Sequence, residues 1–294
     1  VTISNQTILL TGKNGQVGWE LQRTLAPLGR VVALGSAELN LTDTEAIRRM
    51  VRKTQPAIIV NAAAYTAVDQ AESEPSLAHA VNGIAPRILA EEAANCDALL
   101  VHYSTDYVFD GQKAGPYTES DPCAPLGVYG TSKLAGEQGI KSSGCKHLIF
   151  RTSWVYGSRG KNFLLTMQRL SRERETLRVV ADQFGAPTWS RLIAEASAQV
   201  LTQITHHSSP DSLWGLYHLT CAGCTSWHGF TQAILDFSPP PSLPHLEAIP
   251  TSAYPLPAKR PANSVLSNDK LQRTFGLTLP DWHAALALCL DASD

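Results

Sequence analysis

Tyr129 and Lys133 stand one helical turn apart in the segment VYGTSKLAGE. On a helix that spacing puts both on one face, so a phenol and an ammonium can be presented to one point. A free tyrosine, with a pKa of about 10, is a poor acid or base at neutral pH. A neighbouring cation favours the phenolate and brings that value toward the working range. Such a pair suits proton transfer to or from a carbonyl or alcohol oxygen. Upstream, HYSTDYVFDG places Ser104 and Thr105 where an apolar run ends. A hydroxyl there can donate to an oxygen gaining negative charge. An isolated Ser-Thr pair reads better as a polar strand cap; the downstream dyad turns the balance toward catalysis.

Near the start, GKNGQVG sets Gly12, Gly15 and Gly18 at three-residue spacing between an apolar run and a helical pattern. Glycines in that position permit a tight turn and let backbone amides approach a pyrophosphate at a helix N-terminus. The same composition also occurs in plain turns. The placement directly after a strand, and the GxxGxxG spacing beside a Tyr/Lys dyad, point to a bound nicotinamide dinucleotide. An acid at the tip of the second strand would select NAD(H), but the chain reads Ala33-Leu34-Gly35-Ser36 there. Lacking that carboxylate, the site does not repel a 2′-phosphate, and it offers no arginine to hold one. The balance favours NADPH, with NADH open.

These groups need a scaffold that brings strand ends together. The first half alternates apolar runs with helical patterns, as parallel βαβ units do. Strands are expected at Thr7–Leu10, Val31–Leu34, Ile58–Asn61, Leu99–Tyr103 and His147–Thr152. Helices are expected near Gln16–Leu28, Thr44–Thr54, Glu74–Ala94 and Tyr129–Lys141. Runs without polar alternation suit a sheet covered on both faces. The fold class is therefore α/β, a doubly wound parallel Rossmann-type sheet whose ligands bind beyond the carboxyl ends of the strands. From about Phe163 helices and loops dominate, and SPPPSLPHLEAIPTSAYPLPAKRP is dense in proline. That stretch is expected to be a semi-rigid loop beside the active site, within a smaller C-terminal substrate region. Lys259 and Arg260 within it could clamp a diphosphate, or be a solvated pair. Asn82 falls in an expected helix, where a surface amide is the plain alternative. Trp154, near a strand end in RTSWVYG, is either core or a substrate wall.

The chain has 294 residues, 44% hydrophobic and 17% charged, with a formal net charge of −2. That is a globular composition with a sizeable core and no electrostatic case for nucleic acid or acidic membranes. No apolar run reaches the roughly 18 residues of a membrane span, and the first residues lack a signal-peptide pattern, so the cytoplasm is expected. Six cysteines are scattered. Cys221 and Cys224 form a CxxC near His228, but no second pair completes a zinc site. No metal is expected.

Read together, GKNGQVGWELQ, NAAAYTAVDQAESEP, HYSTDYVFDG, PYTESDPCAPLGVYGTSKLAGE, FRTSWVYG, DQFGAPT, GLYHL and PAKRPANSVL resemble the dTDP-4-dehydrorhamnose reductase family of extended short-chain dehydrogenase/reductases. The resemblance runs nearly end to end. It implies an NAD(P)-binding Rossmann domain over 1–160 and a mainly sugar-nucleotide-binding region over 161–294, with some chain crossing back. The implied reaction is hydride transfer to the C4 keto group of a dTDP-bound 4-keto-6-deoxyhexose, giving dTDP-L-rhamnose. In it Tyr129 would protonate the oxygen, Lys133 would bind the nicotinamide ribose and tune Tyr129, and Thr105 would hold the keto oxygen. The cofactor groove would be lined by Gly12, Asn14, Gly15, Gln16, Val17, Gly18, Asn40, Leu41, Ala62, Ala63, Ala64, Tyr65 and Asn82. Val68, Asp106, Tyr107 and Trp154 would shape the sugar pocket, with Lys259 and Arg260 at the diphosphate.

Two departures stand out. Many members carry Asp or Asp-Arg where this chain has Gly35-Ser36. Some dimerise around magnesium held by glutamates, one of them shortly after GAPT, where this chain has Trp189-Ser190-Arg191. An arginine cannot ligate a cation, so a monomer or a homodimer without a metal bridge is expected. An epimerase or dehydratase is a rival reading, but dehydratases place an Asp-Glu pair after the threonine, and here Asp106-Tyr107 follows Thr105. A second rival is a binding role like that of the regulatory subunit of methionine adenosyltransferase, which resembles the same family. Retention of the sugar-pocket motifs argues against it.

Overall fold

The computed structural model describes residues 6–207 and 210–291. The five apolar runs become parallel strands: β1 (Thr7–Thr11), β2 (Arg30–Leu34), β3 (Ile58–Asn61), β4 (Leu99–Thr105) and β5 (His147–Thr152). Successive side chains on a strand point to opposite faces. Ile8, Leu10, Val60, Val101 and Phe150 accordingly enter one core, while Leu9, Ile59, Leu100 and Ile149 enter another. Both faces are buried, which is why the runs carry no polar alternation.

Helices α1 (Gln16–Thr24) and α2 (Thr44–Thr54) follow β1 and β2. Asp43 caps α2 by accepting from the Ala46 amide at 2.8 Å, and Gln55, at φ +43°, ends it. The expected Gln16–Leu28 helix stops at Thr24, and a 3₁₀ turn over Ala26–Leu28 follows; Pro27 cannot continue the hydrogen-bond ladder. A short helix, α3 (Val68–Ala71), comes first; the helix expected over Glu74–Ala94 then runs as three contiguous segments, α4 (Pro75–His79), a π turn over Ala80–Ile84 and α5 (Ala85–Asn95). Pro86 has no N–H to offer the Asn82 carbonyl, so the widened turn sits where an α-helical bond is missing. Helix α6 (Val128–Ser142) then packs on α5, on the same face of the sheet.

The second half adds β6 (Val155–Tyr156), α7 (Phe163–Glu173), β7 (Thr176–Val180), β8 (Phe184–Gly185), β9 (Thr188–Trp189) and α8 (Ser190–His206). After these come β10 (Gly215–His218), β11 (Thr225–Ser226), α9 (Trp227–Phe237), β12 (His245–Ile249), α10 (Asp269–Phe275) and α11 (Trp282–Asp291). Two of these return to the first half: β10 lies parallel beside β5, and α8 packs on α1. The sheet order is β10-β5-β4-β3-β1-β2. The chain leaves β1 to one side and resumes at β3 on the other, so a crevice opens beyond the carboxyl ends of β1 and β3. The proline-rich stretch is not all loop: β12 lies within it and pairs with β7. Tyr156, Leu177, Phe230, Ile234 and Leu286 build a separate core there.

One buried ion pair ties α6 to the sheet. Glu137 receives Arg151 Nε at 2.8 Å and Nη2 at 2.7 Å, and Ser104 Oγ at 2.6 Å. Arg151→Met should strand the Glu137 carboxylate with only Ser104 and the more distant Lys141 ammonium. A loss of about 3–5 kcal/mol in urea unfolding is expected. Glu137→Met added to it should restore most of that loss, and an unchanged single-variant midpoint would contradict the pinning role.

Candidate active site

Tyr129, Lys133 and Glu137 form one stripe of α6, laid across the end of β4. Lys133 is buried, and its Nζ donates to the Tyr103 carbonyl at 2.6 Å and lies 3.3 Å from His102 Nε2. Burial lowers its pKa to about 8, against the pull of Glu137. His102 is itself buried and held well below the usual imidazole range, first by burial and then by Lys133. The ring is therefore neutral, with Asn61 Nδ2 3.0 Å from its Nδ1. The Tyr129 ring is half-buried, and packing around its hydroxyl pushes the phenol up to about 12, while the Thr105 hydroxyl pulls it down. Helical spacing does put Tyr129 and Lys133 on one face. Yet the buried ammonium turns to a backbone carbonyl, and Thr105 is the group that lowers Tyr129.

Thr105 and Ser104 divide their work by strand parity. Ser104 faces α6 and spends its hydroxyl on Glu137, although it also reaches the cavity wall. Thr105 Oγ1 donates to Asp106 Oδ1 at 2.9 Å and accepts from the Tyr107 amide at 3.2 Å. Ser153 Oγ donates to Asp106 Oδ2 at 3.1 Å. Burial raises Asp106 to about 6, opposed by the Ser264, Thr105 and Ser153 hydroxyls. Tyr107 meets Tyr129 edge to face, ring centroids 5.5 Å apart.

A cavity of about 520 Å³ runs from Gly35 and Ser36 at the tip of β2 to Tyr129 and Lys133. Gly12, Asn14, Gly15, Gln16, Val17, Asn40, Leu41, Ala62, Ala63 and Ala64 line it. Gly12 sits at φ +77°, and a Cβ there would fall 2.6 Å from the Ala63 amide nitrogen. Only glycine allows this turn to press against the end of β3. Gly15 precedes α1 without a side-chain cap, so the first amides of the helix stay available to an anion. Gly18 is not on the wall; it packs against the Gly12 carbonyl. These residues fit a dinucleotide: amides for a pyrophosphate, with a lysine and a tyrosine at the far end. Lys161, in the loop after β6, also lines the cavity. The sequence reading passed over it, although its SRGKN context is basic and glycine-containing.

Other expected residues lie elsewhere. Asn82 is neither a surface amide nor on the cavity wall. It is buried, accepts from the Tyr65 amide at 2.9 Å, and donates to the Tyr65 carbonyl at 3.0 Å and Ser132 Oγ at 3.1 Å. It thus ties the Ala62–Tyr65 loop to α6, its hydrogen-bonding capacity committed to protein. Tyr65 likewise sends its hydroxyl to Glu74, at 2.7 Å. Val68 begins α3. Trp154 holds φ +46°, an uncommon conformation for an aromatic residue, and stacks on Trp227 at 3.4 Å between centroids. A Cβ on Gly185 would come within 2.6 Å of the Trp154 indole nitrogen, which accounts for the glycine in DQFGAPT. Trp227 also donates to Gln183 at 3.2 Å; neither residue was singled out from sequence. Lys259 and Arg260 border a second cavity of about 290 Å³ with Gln183 and Tyr254. Arg260 is not free there: Asp69 holds it at 2.8 and 3.1 Å. Cys221 is buried and its thiol pushed up to about 12, whereas Cys224 is exposed. Among the described residues no His, Cys, Asp or Glu group could hold a metal ion.

The parallel sheet, its glycine turn at the switch point and the Tyr–Lys helix over β4 define an extended short-chain dehydrogenase/reductase. The chain belongs to the dTDP-4-dehydrorhamnose reductase family. A family model described as the RmlD substrate binding domain matches residues 6–294. The dTDP-4-dehydrorhamnose reductase of Burkholderia thailandensis is 52% identical over 290 residues, covering 96% of this chain and 97% of that protein. Its namesake from Salmonella typhimurium is 48% identical over 283 residues, covering 94% of each. The crystal structure of dTDP-4-dehydrorhamnose reductase from Bacillus anthracis, in complex with NADP, has a TM-score of 0.90 and 35% identity, covering 98% and 99% of the two chains.

Asp106 makes a testable contribution to stability. Its folded pKa is raised above the ordinary value of 3.8 to about 6, so the native state binds the proton more tightly than the unfolded one. This favourable contribution is full below about pH 4 and is lost as pH rises through 6, a change of at most ~3 kcal/mol. Unfolding free energies measured across that window should fall more steeply for the wild type than for Asp106→Asn. Parallel curves would refute the assignment.

Proposed function

We propose that the chain reduces the C4 keto group of dTDP-4-dehydro-6-deoxy-L-mannose to give dTDP-L-rhamnose, with NADPH as hydride source and NADH accepted. The observation that carries this reading is the placing of Tyr129 and Lys133 at one end of a cavity whose other wall is the Gly12 turn, with the Thr105 hydroxyl beside Tyr129 just behind the lining. Family membership over residues 6–294 supports the substrate class. Thr105 is followed by Asp106-Tyr107 and not by two acids, which counts against a dehydratase.

When bound, the reduced nicotinamide supplies a hydride to the sugar C4. Tyr129 donates its proton to the keto oxygen as charge gathers there; burial keeps the phenol protonated until such an acceptor arrives. Thr105 can rotate its hydroxyl from Asp106 to the same oxygen and share that charge. Lys133 can exchange the Tyr103 carbonyl for a ribose hydroxyl, and its ammonium then stabilises the phenolate left behind. Arg260, aimed by Asp69, and Lys259 would meet the diphosphate. Val68, Asp106, Tyr107 and Trp154 would shape the sugar pocket. Residues 1–160 would supply most of the dinucleotide site and 161–294 most of the sugar-nucleotide site. Arg191, bonded to Glu195 at 2.8 Å, favours a monomer or a homodimer without a bridging metal. No helix among the described residues is long and apolar enough to cross a membrane, and the cytoplasm, where nucleotide sugars are made, is the proposed location.

The direct test follows NADPH and NADH oxidation by absorbance with freshly generated dTDP-4-keto sugar, and identifies the product by NMR. Tyr129→Phe should lower turnover by roughly 10²–10⁴-fold while calorimetry finds NADPH affinity nearly unchanged. Normal turnover would defeat the mechanism. Lys133, lowered to about 8, is cationic below that pH and neutral above it. NADPH affinity should therefore weaken as pH rises through about 8 in the wild type, and Lys133→Ala should bind weakly with no such inflection. A pH-independent wild type would refute the ammonium's role.

A further inference from the structure

The strand tip that bears no acid in the sequence acquires one through the fold. After β2 ends at Leu34 the chain turns back, and Glu38 returns to that tip. Its Oε1 receives Lys13 Nζ at 2.6 Å and its Oε2 receives the Gly35 amide at 2.8 Å. Lys13 comes from the glycine loop after β1, whose Lys13 amide donates to the Leu34 carbonyl at 3.2 Å. Two loops thus grip one carboxylate against Gly35, which lines the dinucleotide cavity, although Lys13 and Glu38 are not themselves part of its wall. A Cβ on residue 35 would lie 2.8 Å from Asn14 Nδ2 and 3.1 Å from Glu38 Oε2. Glycine at the strand tip is what admits the returning carboxylate.

This place has a defined chemistry. In nucleotide-binding sheets of this kind, a carboxylate at the end of the second strand accepts the adenosine ribose 2′-hydroxyl, and a nearby cation accommodates a 2′-phosphate. An ammonium beside a backbone N–H is also a suitable grip for a phosphate. Glu38 and a 2′-phosphate therefore compete for the same partner. We propose that the Lys13–Glu38 pair is the element by which this chain weighs NADPH against NADH. Glu38 accepts the 2′-hydroxyl of NADH while it stays on Lys13; the 2′-phosphate of NADPH takes Lys13 and displaces Glu38 into solvent. The inference rests on the dinucleotide reading of the cavity given above.

The exchange is physically easy. The side chains of Lys13 and Glu38 are 27% and 44% exposed, so the carboxylate has water to enter, and a pair this open contributes little stability. Lys13 and then the Gly35 amide hold the Glu38 carboxyl below its usual range, so it stays anionic and repels a 2′-phosphate throughout the neutral region. Lys133 and Lys161, the two lysines that line the cavity, stand elsewhere: Lys133 is at the Tyr129 end and Lys161 adjoins Gly160 over Gln16, at the α1 end, so each serves a different part of the ligand.

Calorimetric titration of the full chain with NADPH and with NADH tests this without turnover. Glu38→Gln should raise the NADPH-to-NADH affinity ratio about tenfold, tightening the first and loosening the second; Lys13→Met should lower it about tenfold, chiefly through NADPH. Both ligands are titrated into one preparation, so partial misfolding cancels from the ratio. Ratios within about twofold of wild type in both variants, or shifts of opposite sign, would overturn the selector while leaving the dinucleotide site intact. Absence of binding by the folded wild type to either dinucleotide would overturn the selector and the proposed cofactor reading together.

Discussion

Everything at the site depends on α6 being held flat against the sheet by the buried Glu137–Arg151 pair. Two charges out of water are tolerated only when their hydrogen bonds are nearly all made. Glu137 meets that condition through Arg151 and Ser104, and the Arg151 guanidinium lies over the Phe109 ring, 5.0 Å from its centroid. Because Glu137 shares its stripe with Lys133 and Tyr129, fixing one fixes the register of all three. The Tyr129–Lys133 pair is thus aimed by an interaction one turn further along the helix, and neither Glu137 nor Arg151 lines the cavity.

The same exclusion of water sets the charge state of the site. Burial drives Tyr129 and Asp106 toward protonated forms and Lys133 toward the neutral amine. Each shift is the cost of a charge without solvent. At neutral pH Lys133 is still mostly cationic and Asp106 mostly ionised, but each carries its charge at a cost that a partner of opposite charge would relieve. A phosphate-bearing dinucleotide would favour ionised Lys133, so that binding and proton transfer reinforce one another.

Legibility in the sequence followed locality. Ile58–Asn61, His147–Thr152 and Thr44–Thr54 lie at the expected limits, since unbroken apolar runs and an Asp43 cap are local signals. The glycine turn and the Tyr129–Lys133 spacing were readable for the same reason. The helix around Asn82 is legible, but its π turn is not, because that turn reflects both Pro86 and the bond from Asn82 to the distant Tyr65 backbone. The β12 strand was hidden among prolines, and only pairing with β7 reveals it. Trp227 carried no signal until Trp154 was found stacked upon it, and Gly185 none until that indole was found to need its space.

By itself, then, the sequence determined the parallel α/β sheet, the glycine turn at the end of β1 and the helical stripe that carries Tyr129 and Lys133, because periodicity and fixed spacing are properties of a few neighbouring residues. Only the tertiary structure decided where those groups point. It turned Lys133 to the Tyr103 carbonyl, gave Thr105 the influence over Tyr129, set Asp69 on Arg260, and returned Glu38 to a strand tip that reads Gly35-Ser36. A buried polar group takes the best partner that packing leaves within reach, and that partner is chosen by chain closure across tens of residues, which no local pattern encodes.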